Sequence, residues 1–276
     1  MHQAVHRTYH ALLSGEKIAV YGDFDVDGVT ATALLVQGLS ALGGNVIPYI
    51  PHRSSEGYGL HVSALKKLQD QGVSLVITVD TGINACAEVT KAQKMGLDMI
   101  ITDHHLPSAT LPPAQAVVNP KRSDSDYRDT ELAGVGVAFK FLQALLQNRG
   151  REELIEDVLE LVTLGTITDM VPLFGENRYW VRRGLQLINS TKRVGLQELI
   201  RCVNIEPGNI DVQRISWTLG PRLNAAGRLD DATTSYQLLL TQDTKEASAL
   251  ASELEQKNSR RRQLADGLLS RAREKI

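Results

Sequence analysis

The chain has 276 residues, 42% of them hydrophobic, which is enough to bury the core of one large domain or of a domain with a smaller helical part. We expect a cytoplasmic protein without membrane contact or a disulfide framework, because no apolar run could span a membrane, the start lacks a signal-peptide stretch and the two cysteines have no paired spacing. The formal net charge of −2 gives no overall attraction to nucleic acid, so any such binding must use local basic patches.

Strands and helices alternate over the first 120 residues. Short apolar segments predict strands at 17–21, 45–50, 74–79, 97–102 and 116–118. The segments between the first four strands predict helices at 28–42, 61–71 and 84–95. Strands joined by helical crossovers indicate an α/β fold, with a mainly parallel sheet and helices on both faces.

The pattern becomes helical after residue 120. Helices are predicted from residue 131, over 151–168 and, as one long polar helix, over 243–276. We therefore divide the chain at residue 190. Residues 1–190 hold the strand-rich part (about 17–120) and a helical part (about 131–190), and residues 191–276 form a helical extension that ends in the long connecting helix.

Three carboxylates, Asp23, Asp25 and Asp27, crowd the turn between the first strand and its helix. At least two should face the same way if the segment is extended, and such a cluster favours a hard divalent cation. The spacing also opens the calcium loop of an EF-hand, but the required Glu at the twelfth position is Leu34 here. A dehalogenase-type phosphatase with a nucleophilic Asp, or a solvated acidic turn, remains open at this point.

Two other predicted strands end on similar residues. Asp80 follows the third strand, and Asp103, His104 and His105 follow the fourth. Because the carboxyl ends of parallel strands share one edge, these segments should converge on one metal site. One of the adjacent histidines is expected to ligate and the other to act beside it. Asp169 lies in an apolar segment, where an unpaired carboxylate is costly, so it too should have a partner such as a cation.

Motifs along nearly the whole chain resemble the DHH phosphoesterase superfamily and, within it, the RecJ family of bacterial exonucleases. They lie at 21–32, 51–53, 56–60, 80–83, 102–105, 118–121, 132–140, 165–173 and 220–229. The resemblance implies that residues 1–190 are a catalytic DHH domain. It also implies 5′-to-3′ exonuclease action on single-stranded DNA in recombination and repair, with a single-strand-binding protein and a helicase as partners.

The resemblance further implies two manganese or magnesium ions. The implied ligands are Asp25, Asp27, Asp80, His104 and Asp169, and the implied catalytic residues are His105, Asp80 and Asp23. His105 would face the scissile phosphate, Asp80 would bridge the ions, and Asp23 would be a further ligand or lie just outside the ligand set. Two such ions activate a water and neutralise phosphate oxygens during in-line attack, so no covalent nucleophile is needed and the dehalogenase hypothesis ranks lower.

Other members of the superfamily act on other substrates. Pyrophosphatases of this group carry a His four residues before the first Asp of their Asp-x-Asp, where this chain has Tyr21. The stretch 220–229 resembles the RecJ family specifically, and its Arg222, Asn224 and Arg228 are suited to gripping a phosphate. Ion pairs of the two arginines with the nearby Asp230 or Asp231 are the competing explanation.

The loop after the second strand should lie at the same sheet edge as the metal ligands. Its His52, Arg53 and Tyr58 are expected to contact the nucleotide next to the cut, with Tyr58 available for base stacking. A solvated loop is the competing explanation.

In RecJ proteins the long helix leads to a DHHA1 domain and an oligonucleotide-binding fold, and neither is found in this sequence. We therefore expect a fragment or a truncated copy, with Leu264, Leu268 and Leu269 lacking a covering partner. Two alternatives to the exonuclease follow. One is a cleavage-deficient module that binds nucleic acid or a protein partner, and the other is a DHH phosphoesterase acting on short oligonucleotides.

Overall fold

The structure is a computed structural model that describes residues 1–147 and 150–273. Its five strands are β1 (Lys17–Tyr21), β2 (Asn45–Tyr49), β3 (Val73–Val79), β4 (Asp98–Thr102) and β5 (Ala116–Val118). They form one sheet in the order β2-β1-β3-β4-β5, and every pair is parallel. The predicted α/β fold with a parallel sheet is therefore confirmed.

The helices of the first half lie between the strands and directly after the sheet. They are α1 (His2–Leu13), α2 (Val26–Ala41), α3 (Val62–Asp70), α4 (Cys86–Lys94), α5 (Gly134–Leu146) and α6 (Glu152–Thr168). The first of these, α1, was not predicted from the sequence. The predicted helix from residue 131 begins three residues later, because a carboxylate from a distant segment caps its first turn, as described below.

The second half is entirely helical among the residues that the structure describes. Its helices are α7 (Gly175–Ile188), α8 (Val194–Cys202), α9 (Val212–Arg214), α10 (Gly220–Leu229), α11 (Thr233–Leu240) and α12 (Thr244–Arg273), with a π-helical segment at Ile215–Leu219. The long helix predicted over 243–276 is confirmed as α12, except that its last three positions, 274–276, lie outside the described residues. No helix in the described ranges is long and apolar enough to cross a membrane.

The sheet buries both of its faces because successive strand residues point to opposite sides. In β1, Ile18 and Val20 belong to the larger core with α2, α5 and α6, whereas Ala19 and Tyr21 belong to a smaller core with α3 and α4. This packing leaves the ends of the strands as the accessible parts of the sheet. From β1 the chain adds β2 on one side of the sheet and then β3, β4 and β5 on the other, so the direction of connection reverses between β1 and β3. Ligands of open parallel sheets bind outside the carboxyl ends of the strands at such a point.

A buried arginine ties the helical half to the sheet domain. The side chain of Arg193 donates to the carbonyl of Leu239 at 2.9 Å and to Oε1 of Gln37 at 3.0 Å, and its Nε lies 3.3 Å from Glu160. Burial raises the pKa of Glu160, an effect that the charge of Arg193 partly offsets. The contact joins α2, α6 and α11 around one cation, so the two halves pack as neighbours across the proposed division at residue 190.

Candidate metal centre

The carboxylates and histidines that follow β1, β3 and β4 meet at one edge of the sheet, together with the end of α6. Three groups of possible metal ligands have donor atoms within 4.8 Å of one another: Asp23, Asp25 and Asp80; Asp80, His104 and His105; and Asp27, His104 and Asp169. Asp80 and His104 each belong to two groups, so the three form one continuous cluster. The predicted convergence of separate segments on one place is confirmed.

The acidic turn is extended as far as Asp25, which shares a ligand group with Asp23 as alternation predicted, and α2 begins at the next residue. Asp25 caps α2 by accepting a hydrogen bond from the Gly28 N–H at 3.1 Å, and Asp27 already lies in the first turn of that helix. The carboxylate of Asp27 caps a second helix, since its two oxygens accept from the N–H groups of Gly134 at 2.6 Å and Val135 at 2.8 Å. The N-terminus of α5 therefore holds Asp27 in place and favours its negative charge.

Close backbone approach is required where α5 meets the cluster. A Cβ atom on Gly134 would lie 2.5 Å from Cβ and 2.6 Å from Oδ1 of Asp80. Only glycine allows the start of α5 to reach Asp27 while Asp80 stays in the cluster. The sequence analysis did not predict this contact.

Asp80 itself has an uncommon backbone conformation. Its φ of +59° lies in the left-handed region, which Asp tolerates better than most residues but which is still strained. The side chain is buried, and its Oδ1 lies 3.0 Å from Nε2 of His104. Strain that the surrounding fold maintains is typical of functional positions, and here it directs the carboxylate into the cluster.

The unsatisfied atoms of the cluster indicate that it is built for a cation. Among the described residues, Oδ1 of Asp23, Oδ1 of Asp80 and both ring nitrogens of His104 are buried without a hydrogen bond of good geometry, although Oδ1 of Asp80 and Nε2 of His104 lie 3.0 Å apart. Buried polar atoms are almost always hydrogen-bonded, so this group of atoms requires an explanation. Carboxylate oxygens with an imidazole are a donor set for divalent ions such as Mn²⁺, and the residues present fit such an ion.

The protonation states agree with a cation-binding role for the cluster. Burial and the charge of Asp25 raise the pKa of Asp23 to about 7, and burial with the same charge raises that of Asp169 to about 6. Burial and neighbouring carboxylates also raise the pKa of Asp27 and of Asp80. A bound cation would remove the repulsion that raises these values.

The pKa of His104 shifts in the opposite direction. Burial and the charge of His105 lower it to about 4. Its imidazole is therefore neutral at physiological pH, which is the form that binds a metal ion.

His105 is oriented by a carboxylate that sequence reasoning placed at the edge but gave no role. Oδ1 of Asp103 lies 2.7 Å from Nδ1 of His105 and also accepts from the N–H groups of His104 and His105, while its Oδ2 accepts from Ile83 N–H at 2.9 Å. The hydrogen bond that the His105 ring donates to Asp103 raises the pKa of His105. Burial would raise the pKa of Asp103, but its bonds with His105 hold it below the usual range. The rings of His104 and His105 lie side by side, with centroids 4.5 Å apart, so both reach the cluster.

The loop after β2 lies beside the cluster, as predicted. The ring of Tyr58 packs edge-on against His105 with centroids 6.2 Å apart, and against Phe24 at 6.3 Å. The guanidinium of Arg53 lies over the Phe24 ring at 5.1 Å. His52 reaches across to Asp230, with Nε2 and Oδ1 3.7 Å apart. Phe24, which sequence reasoning left without a role, thus anchors this loop at the mouth of the site.

The three residues predicted in α10 have different surroundings. Arg222 forms an ion pair with Glu255 of α12 at 2.5 Å, rather than with Asp230 or Asp231, and also donates to the carbonyl of Thr218. Asn224 accepts from the N–H of Val26 through Oδ1 at 3.0 Å, which fixes the start of α2. Arg228 is exposed. The predicted contacts of Arg222, Asn224 and Arg228 with substrate stay a prediction. Of these three residues only Arg228 is exposed to solvent.

We expect the metal-free chain to lose stability as the pH rises from 6.5 to 8, and divalent metal to restore it. Carboxyls whose pKa is raised in the folded state hold protons that the unfolded chain has already released, so folding binds protons and is disfavoured as pH rises. His104 opposes this trend only at the lower end of the window, since the folded imidazole is neutral and the unfolded one, with an ordinary pKa of 6.5, loses its remaining protons there. Asp23, whose pKa is about 7, titrates inside the window and accounts for about 1 kcal/mol of the loss, equivalent to about 2 °C in Tm.

The measurement is thermal unfolding of EDTA-treated protein at pH 6.5 and pH 8, with and without Mn²⁺. Asp80→Asn removes one of the buried ionisable groups and should reduce the pH slope of the metal-free protein. A metal-free Tm that is unchanged or higher at pH 8 would contradict the electrostatic account of the cluster.

Fold and site together define an α/β domain with a carboxylate–histidine metal centre at the carboxyl ends of its strands. The model of the DHH family N-terminal domain matches residues 17–166. The chain belongs to the DHH family. This agrees with the resemblance found in the sequence and leaves the dehalogenase-type hypothesis without support.

Several of the relatives and solved structures that it matches are RecJ proteins. The chain is 42% identical over its full length to the single-stranded-DNA-specific exonuclease RecJ of Bacillus subtilis, of which it spans 34%, and it spans 49% of a 41% identical Salmonella typhimurium relative. It superposes on 68% of an exonuclease RecJ crystallised with manganese, with 39% identity, 98% of this chain covered and a TM-score of 0.89. The chain thus spans half or less of the curated relatives that it matches.

Proposed function

We propose that this chain is the catalytic core of a metal-dependent phosphodiesterase that degrades single-stranded DNA from its 5′ end. The observation that carries the proposal is the continuous cluster at the sheet edge, in which Asp80 and His104 are each shared by two groups of ligands. A shared carboxylate such as Asp80 is what two adjacent cations would need, whereas the neutral imidazole of His104 would bind one of them. Support for the substrate comes from the RecJ relatives, whose names specify single-stranded DNA.

The proposed ligands are Asp25, Asp27, Asp80, His104 and Asp169, with Asp23 beside them and Mn²⁺ or Mg²⁺ as the ions. When bound, a pair of such ions supplies an activated water and neutralises charge on the phosphate. The protein contributes the positions of the donors. Asp27 is fixed by the N-terminus of α5, Asp25 caps α2, and the neutral imidazole of His104 offers a lone pair without releasing a proton.

His105 is proposed to contact the scissile phosphate. Its Nδ1 is bound to Asp103, so Nε2 is the ring atom free to meet a substrate oxygen. The raised pKa of His105 favours a ring that can donate a hydrogen bond or a proton to a developing negative charge. Asp103 thereby acts as a positioning residue for this imidazole.

Substrate binding is proposed to use residues beside the cluster. Arg53 and Tyr58 contact Phe24 beside the cluster, and the exposed Arg228 lies next to Gly227, which packs on the Phe24 backbone. Burial and the charges of Arg228 and Arg262 lower the pKa of Arg261, so these arginines form a basic surface near the start of the exposed part of α12. An uncompensated group of arginines suits the phosphates of a single strand, although the whole chain is weakly acidic.

Cleavage of end-labelled DNA tests this function directly. With Mn²⁺, we expect a 5′-labelled single strand to release a labelled mononucleotide at once, and a 3′-labelled strand to shorten gradually. A blunt duplex and a nicked or gapped circle serve as controls for strand and end specificity. Binding of the single strand without metal-dependent cleavage would favour a binding module instead, and cleavage confined to oligonucleotides of a few residues would favour the short-oligonucleotide alternative.

The remaining inferences from the resemblance are also proposals. They are the division at residue 190, a cytoplasmic location, and a single-strand-binding protein and a helicase as partners. Sedimentation of the chain with purified single-strand-binding protein would test the most accessible of them.

A further inference from the structure

One of the two tryptophans of the chain is largely exposed. Trp217 is 76% exposed, whereas Trp180 is 4% exposed and packs edge-on against Phe139. Exposing an indole leaves a large apolar surface in water, which folded proteins usually avoid unless the side chain contacts a ligand or partner. The proposed mechanism gives Trp217 no role.

Trp217 lies in the π-helical segment Ile215–Leu219. Ile215 and Leu219 are buried in the main core, so the segment is anchored on one side and presents Trp217 on the other. Short π-helical segments are rare and occur often at functional sites. The rigid anchoring matters, because a fixed aromatic ring loses little conformational freedom when a ligand stacks on it.

This segment is attached next to the metal cluster. Gly220, the first residue of α10, packs so closely on the last turn of α6 that a Cβ there would lie 2.6 Å from Cγ2 of Thr168. The next residue of α6 is the proposed ligand Asp169. Trp217 is three residues before Gly220, and Asp169 directly follows Thr168. Both residues are therefore close along the chain to this contact. The adjacent Met170 is 84% exposed and adopts a left-handed φ of +63°, so apolar surface and backbone strain coincide there.

We propose that Trp217 is a stacking platform for an unpaired nucleobase of the substrate, near the end of α6 that carries Asp169. The inference rests on the proposed function, which places a single strand at this cluster. The indole offers a flat π surface, and base–aromatic stacking is insensitive to sequence, as a degrading enzyme needs. Bases in a duplex are already stacked on their neighbours, so such a platform also selects for single strands.

The helix that follows Trp217, α10, and the helix packed on it, α12, carry Arg228, Arg261 and Arg262, which favour a nucleotide ligand over an apolar protein partner. Arg222 is neutralised by its ion pair with Glu255 and donates to the carbonyl of Thr218, so it holds the backbone beside Trp217 in place. A nucleobase on Trp217 would place its phosphate toward the basic residues of α10 and α12. A protein segment or a second copy of this chain that covers Trp217 is the other possible occupant, and the test below separates them.

Intrinsic tryptophan fluorescence provides the test, because Trp217 is a natural reporter. Oligo(dT) added to EDTA-treated protein, in which no cleavage occurs, should quench the emission. Trp217→Phe, which retains only the buried Trp180, should lose most of the quenching while keeping much of the affinity. In the presence of Mn²⁺, Trp217→Ala should raise KM for oligo(dT) about tenfold, within the 1–3 kcal/mol range of one stacked base, and change kcat less than twofold.

Two outcomes would overturn the proposal. One is a wild-type emission that does not respond to oligo(dT) although the protein binds or cleaves it. The other is quenching that depends on protein concentration without DNA, which would indicate self-association. Failure of the exonuclease function itself is distinguishable, since it would appear as an absence of cleavage and of DNA binding by mobility shift in all variants alike. Equal Tm values of wild type and Trp217→Ala verify that the variant is folded.

Discussion

Asp80→Ala is expected to reduce metal-dependent cleavage of single-stranded DNA by at least ~10³-fold, more than the 10–100-fold that loss of a group outside the ligand set costs. Asp80 belongs to two of the three ligand groups, so its removal leaves only the group Asp27, His104 and Asp169 complete. Among the described residues, the buried Oδ1 of Asp80 makes no hydrogen bond of good geometry, and its 3.0 Å contact is with His104, another member of the cluster. The change should therefore impair metal binding far more than folding.

The measurement combines kcat/KM on a labelled strand with the number of Mn²⁺ ions bound, determined by calorimetry or by direct metal analysis. Asp70→Ala is the matched control, because Asp70 is an exposed aspartate that pairs only with Lys66 on α3 in the described structure. Asp103→Asn should have an intermediate effect, since Asp103 orients His105 without belonging to the ligand groups. Cleavage at the wild-type rate by Asp80→Ala would show that the cluster is not the catalytic centre.

The location of the centre could be predicted from the sequence, and the reason is topological. Every strand of the sheet is short and apolar, and each functional segment begins where a strand ends, so a parallel arrangement brings Asp25, Asp80 and His104 to one edge. The location of the centre depends only on the order and direction of the strands. Asp169 was predictable for another reason, because a carboxylate within an apolar helix end requires a partner.

The structural roles around the centre could not be predicted in the same way. The bonds of Asp27 with Gly134 and Val135, and of Asn224 with Val26, join residues more than 100 positions apart. No periodicity marks such contacts. For the same reason the sequence did not indicate that the carbonyl oxygen of Asn224 holds the start of α2 in place, and its predicted phosphate contact stays a prediction.

The alternation predicted for the acidic turn holds for Asp23 and Asp25, which share a ligand group, and stops at Asp27, where α2 has already begun. Asp25 is the cap of α2 and Asp27 lies in its first turn, so the two carboxylates diverge into different ligand groups. A capping residue is a local signal, but three aspartates in succession give three possible caps. Only the packing of α5 on Asp27 decides between them.

Gly134→Ala is expected to abolish tight Mn²⁺ binding although the substituted residue touches no ion in the proposed site. The added Cβ would lie 2.5 Å from Cβ of Asp80, far inside van der Waals contact, and both partners are held. The start of α5 is fixed by its bonds to Asp27, and Asp80 is fixed by its buried, left-handed backbone. Relief of the clash must therefore move either Asp27 or Asp80 out of the cluster.

The same substitution elsewhere in a helix is expected to stabilise the protein, and this difference supplies the control. Alanine is favoured over glycine inside a helix by roughly 0.5–1 kcal/mol, and Gly267 in α12 has no atom within 4 Å of an added Cβ. We expect Gly267→Ala to leave metal binding unchanged and Tm equal or higher. Gly134→Ala should instead lower Tm, since overpacking costs about 1–3 kcal/mol, and should weaken Mn²⁺ binding measured by calorimetry. Wild-type Mn²⁺ affinity in Gly134→Ala would mean that α5 can retreat without disturbing Asp27, and the helix cap would then have no part in holding the metal site.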